Sequence, residues 1–122
     1  MTDTRRFADG LAEYEDLHRT MIGISRRTDE KRKTDLLVQR RRIPDMLAEL
    51  RNGAGELAKD GFDLAKFESQ LSELRHILAA HQATWSVVKL DDSAGYRQSV
   101  DNVIRTVEAF LAWCKAELAR IA

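Results

Sequence analysis

Residues Leu64 to Trp85 read LAKFESQLSELRHILAAHQATW, and the spacing inside this stretch decides the fold. Leu64, Phe67, Leu71, Leu74, Leu78, His81 and Trp85 recur at intervals of three and four, with Val88 next in the series. That rhythm places them on one face of an α-helix. Asp63 stands where an N-cap side chain would accept the first orphan backbone N–H groups. The alternation of a half-buried strand does not compete with this pattern here or elsewhere in the chain.

Working upstream, Asp60-Gly61 marks the close of a preceding helix, because glycine enters the left-handed conformation of a helix end at little cost. Leu36, Ile43, Leu50 and Leu57 repeat every seven residues with Leu47 and Ala54 between them, which defines a second helix facing a partner. Pro44 falls inside it and is expected to kink it or divide it in two. Asn52, Gly53 and Gly55 weaken its end. The polar stretch RRTDEKRKTD, Arg26 to Asp35, precedes it and reads as the tip of a helical hairpin. Phe7, Leu11, Tyr14, Leu17, Met21 and Ile24 give a first helix from about Asp3 to Arg27.

Downstream, DDSAG at Asp91 to Gly95 is a turn cluster. A last helix follows with Tyr96, Val100, Val103, Val107, Phe110, Cys114, Leu118 and Ile121 on one face, widened by Ile104, Leu111 and Trp113. Four helices of similar length joined by short turns predict an all-α, antiparallel four-helix bundle, with residues 1–122 forming a single domain. The last helix has more apolar width than one neighbour needs, and part of it is expected to serve a homodimer interface.

Composition agrees with this class. Apolar residues make up 43% and charged residues 33%, with one proline and six glycines, a globular and helix-favouring balance. No apolar run approaches the ~20 residues that span a bilayer, so no membrane partner is expected. The opening MTDTRRFADG lacks the apolar core of a signal peptide, and the single Cys114 lies in an apolar stripe as a packed thiol. These features predict a cytoplasmic protein. The formal net charge is zero, yet Arg19 to Arg42 holds nine basic residues against Asp29, Glu30 and Asp35. Such a run is either a solvated helical face or a surface that meets phosphates.

Several chemistries lack their residues. No glycine-rich phosphate loop is present. His76 and His81 are five apart, whereas two ligands on one helical face sit at i and i+4, and no Glu-x-x-His occurs; no metal and no other cofactor are expected. Cys114 has no basic partner to make it a nucleophile. A histidine phosphotransfer bundle would want a basic residue in the small-residue patch after His76, and Ile77-Leu78-Ala79-Ala80 supplies none.

What remains is Arg75, His76 and His81. An arginine and a histidine without metal ligands or a protein nucleophile suit RNA cleavage, where the substrate's own 2′-hydroxyl attacks the phosphorus. A histidine near its ordinary pKa of ~6.5 exchanges the protons of that reaction. An arginine offers a planar fork of donors to the charge that builds on the phosphorane oxygens.

The segment RHILAAH, Arg75 to His81, resembles the Arg-x(4–6)-His motif of the HEPN family, the "higher eukaryotes and prokaryotes nucleotide-binding" domains. In that motif a polar residue follows the arginine, and here it is His76. The resemblance extends to the length, to the helical content and to a motif in the C-terminal half with a helix after it. It implies a metal-independent endoribonuclease of the kind found in toxin–antitoxin and phage-defence systems, with RNA as substrate, a homodimeric cleft and a cognate antitoxin or regulator as partner. On this resemblance Arg75 is the phosphate-binding residue, His81 the general acid/base and His76 the residue that orients them.

Helix geometry sets a condition on that reading. Six residues of regular helix turn through ~600°, so Arg75 and His81 would point roughly 120° apart. Either the helix is irregular near Arg75, or a second subunit completes the site. The alternative function is a non-catalytic interaction module (an adaptor, an antitoxin-like partner or a secretion chaperone) that uses the heptad stripe of the second helix and the wide face of the last one.

Overall fold

The computed structural model describes residues 2–87, 90 and 93–122. Four helices carry the chain: α1 at Arg5–Ser25, α2 at Arg32–Leu57, α3 at Leu64–Thr84 and α4 at Ala94–Ile121. No strand occurs among the described residues. Each helix packs on its chain neighbours, and α4 closes the ring against α1.

Side chains at the ends of the helices fix the directions. Arg6 near the start of α1 pairs with Glu49 and Glu56 near the end of α2, while Arg32 Nη2 at the start of α2 donates to the Ser25 carbonyl at the end of α1. The Asp63 amide, just before α3, donates to Glu117 near the end of α4 at 2.7 Å. Lys115 of α4 meets Glu15 of α1, and Arg51 of α2 meets Glu68 of α3. Adjacent helices therefore run antiparallel, as the bundle reading required.

The turns follow the local chemistry of the sequence. Asp63 accepts from the Lys66 amide at 3.1 Å and caps α3, and Ser93 accepts from the Tyr96 amide at 3.2 Å and caps α4. Ala94 and Gly95, expected in a turn, are already the first residues of α4. Asp91 and Asp92 lie outside the described residues. Gly61 has φ +95°, the left-handed value that ends the 3-10 turn after α2. The polar stretch after α1 is a hairpin tip, held by Arg27 bridging Asp29 and Asp35 at 2.6 and 2.8 Å.

Two expected boundaries moved. Helix α2 is not divided at Pro44 but runs through it, with the ring on the exposed face. A proline there withdraws one donor from the Arg40 carbonyl, while Ile43 and Leu47 on either side of it remain buried in the core. Helix α3 stops at Thr84 rather than continuing past Trp85. The Trp85 backbone leaves helical values, and its ring turns edge-on to Tyr96 at 5.6 Å while lying against Gly95. Val88 lies outside the described residues.

The core has two unlike ends. Near the start of α1, Phe7, Phe62, Phe67, Phe110 and Trp113 meet in a chain of edge-on and tilted contacts with centroids 5.1 to 5.8 Å apart. Gly53 packs directly against Phe7 there, where a Cβ at 53 would lie 3.4 Å from the Phe7 backbone, in van der Waals contact. Along α2, Ile43, Leu50 and Leu57 are buried in this main cluster, and Leu36 is buried in a second one with Ile24, Leu90 and Tyr96. The heptad stripe is thus covered within the bundle. Of the residues that widen α4, Leu111 is in the core and Trp113 packs on Phe62, while Ile104 is half-buried. Among the described residues the exposed large hydrophobic is Val38.

Candidate functional site

Arg75, His76 and His81 all lie on the unbroken α3, so no irregularity brings Arg75 round to His81. On a regular helix they point about 120° apart. Arg75 is exposed and makes no ion pair or hydrogen bond with another described residue. His76 is exposed as well. His76 and His81 instead share an open groove between α3 and α4, with Trp85, Ser99, Asn102 and Arg105 on its walls. Two imidazoles, a guanidinium, hydroxyls and an indole make a wall suited to a phosphodiester and a base.

His81 is the best-defined member of the set. Its Nδ1 and Ser99 Oγ share a hydrogen bond of 2.6 Å, and its ring stacks on Tyr96 with centroids 5.9 Å apart. Burial first, and the positive charge of Arg40 second, lower its pKa to about 4. The ring is therefore neutral at neutral pH.

Arg40 is the residue that sequence reasoning missed. In the sequence it is one cation among nine in the basic run, yet it is 8% exposed and its Nε and Nη2 have no hydrogen-bond partner among the described residues. Burial pushes its guanidinium below the usual arginine range, and an arginine stays charged nonetheless. The signal was available: Leu36, Arg40 and Ile43 are spaced four and three apart, which puts the arginine in the core stripe of α2.

Arg40 and His81 line an interior cavity of about 50 Å³ with Tyr14, His18, Tyr96 and a set of aliphatic side chains. His18 is buried too; desolvation lowers its pKa, against the opposing pull of Glu108 at 3.8 Å from Nε2. His81 and Val103 are common to this cavity and to the α3/α4 groove, and so stand between them.

The rest of the basic run is broken up. Arg19 pairs with Glu15 and Asp16, Arg27 with Asp29 and Asp35, and Arg32 is buried over the Tyr96 ring. It does not form one continuous basic track. Burial also pushes the Cys114 thiol up to about 12, so it is a packed core group as its stripe implied. Among the described residues no group of three His, Cys, Asp or Glu is placed to hold a metal ion, and no helix is long and apolar enough to cross a membrane.

No family model, curated protein or solved structure matches the chain.

Proposed function

We propose that the bundle is a HEPN-like, metal-independent endoribonuclease whose site is completed by a second copy of the chain. The observation that carries this reading is the shared groove: His76 and His81 face one open channel with Arg105 and Trp85 on its walls. A neutral His81 offers a nitrogen lone pair to the 2′-hydroxyl proton as that oxygen attacks the phosphorus and the 5′-oxygen departs. His76, on the same groove, is the group that orients the pair or protonates the leaving oxygen. Arg75 does not line this groove, so in this reading Arg75 of the other copy meets the phosphorane charge, beside the Arg105 that the protomer itself supplies. A role as a toxin or a phage-defence component, with a cognate antitoxin or regulator, is part of the same proposal.

Incubation of the purified protein with RNA in EDTA tests it. Wild type is expected to cut, and His81→Ala and Arg75→Ala to lose most of that activity.

A second reading, a non-catalytic interaction module, has one observation in its favour. The bond to Ser99 and the stack on Tyr96 are also what a packed histidine makes. The α2 stripe and the wide face of α4 lend it little support, because both are occupied inside the bundle. A stoichiometric protein partner retained by the Arg75→Ala and His81→Ala variants would favour it.

A further inference from the structure

The interior cavity asks for an occupant of its own. Arg40 brings a full positive charge to it, more than nine-tenths buried, with Nε and Nη2 unpartnered among the described residues. Native proteins rarely leave such a group without a counter-charge or a hydrogen bond. Among the described residues no carboxylate lines this cavity. The polar groups that do are Tyr14, His18, Ser25, His81, Gln82 and Tyr96; the remaining walls are aliphatic, Leu36, Ile43, Leu78 and Val107 among them.

We propose that this cavity binds a small monocarboxylate with a short apolar body, its carboxylate on Arg40 and its carbon chain against the aliphatic walls. Charge selects the class. The cavity offers one fixed cation, and both histidines are held toward their neutral forms, so one negative charge is balanced and two are not. Size agrees: about 50 Å³ is a few water volumes on the same measure, enough for a carboxylate and a few carbons. A planar carboxylate also matches the fork of a guanidinium.

There is a route in. Ser25, Tyr96, Val100 and Ile104 line both the cavity and an open cleft between the end of α1 and the start of α4. Arg26 and Arg97 stand at that cleft, with Asp101 beside them. The two arginines draw an anion to the mouth, and the site lies on the opposite side of His81 from the RNA groove. The inference does not depend on RNA cleavage.

Thermal unfolding of the full chain with millimolar butyrate or propionate tests it, against sodium chloride at equal ionic strength and against inorganic phosphate. Either acid is expected to raise Tm by several degrees in wild type, with chloride inert and phosphate weaker. Arg40→Met is expected to remain folded and lose the response. A second readout needs no variant: the ring resonances of His81 and His18 are expected to shift on adding butyrate. The proposal is overturned if neither acid moves Tm or those resonances, if folded Arg40→Met responds like wild type, or if phosphate outdoes both acids.

Discussion

Arg40 of α2 and His81 of α3 face each other across one interior cavity, the guanidinium fixed in its charge and the imidazole kept from acquiring one. Ser99 of α4 bonds the ring, Tyr96 of α4 stacks on it as part of the cavity wall, and His18 lines the same cavity from α1. A neutral histidine held by two side chains of α4 thus stands, with Val103, between the cavity and the α3/α4 groove.

This arrangement makes stability depend on mild acid. The unfolded His81 titrates near 6.5 and the folded one at about 4, so between those values the unfolded chain binds more protons. Stability is therefore complete above the upper value and falls as the pH drops toward the lower one, with His18 contributing in the same sense. The urea midpoint is expected to drop from pH 7 to pH 4.5, and His81→Gln to flatten that drop. A His81 ring titration by NMR with a midpoint at or above 6.5 would contradict the placement.

Glu117 ties the far end of the bundle together. Its carboxylate takes the Asp63 amide at 2.7 Å and Arg120 at 2.6 Å, and Arg120 Nη2 reaches on to the Gly61 carbonyl. The Arg120 guanidinium, with help from the Asp63 amide, holds Glu117 at about 2. Removing the buried carboxylate takes the shared acceptor from the Asp63 amide and Arg120, so Glu117→Ala is expected to cost about 1–3 kcal/mol in urea unfolding. Glu117→Gln keeps an acceptor and should recover part of the loss.

Two glycines give opposite signs. A Cβ at Gly23 meets nothing within 4 Å inside α1, so Gly23→Ala is expected to stabilise by about 0.5–1 kcal/mol. Gly61 has open space as well, but its φ of +95° strains any other residue, and Gly61→Ala is expected to destabilise by about 1 kcal/mol. Paired melts read both.

The helices were legible because the apolar spacing that runs from Leu64 to Leu78 cannot be mistaken for another period, and Asp63 and Gly61 announce their own conformations. Pro44 did not divide α2, because a proline on an exposed face costs one hydrogen bond while the apolar stripe on the other face keeps the helix continuous. The end of α3 was hidden because Trp85 keeps the helical spacing while its ring is claimed by Tyr96. Arg75, His76 and His81 were visible as a motif, but the two histidines are themselves ~140° apart on a regular helix, and it is the placement of α4 against α3 that joins them in one groove and leaves Arg75 outside it. Arg40 was obscured by company: a run of basic residues reads as surface, and burial is a property of phase rather than of composition.

A composite RNA-cleaving site is tested most directly by mixing two single variants. Arg75→Ala and His81→Ala should each be nearly inactive on RNA in EDTA. If each site takes Arg75 from one copy and His81 from the other, subunit exchange between them rebuilds one intact site in each mixed dimer. Half of the dimers are mixed at random exchange, so about a quarter of wild-type activity should return. A mixture that stays as inactive as its components, or single variants that cut like wild type, would contradict the composite site.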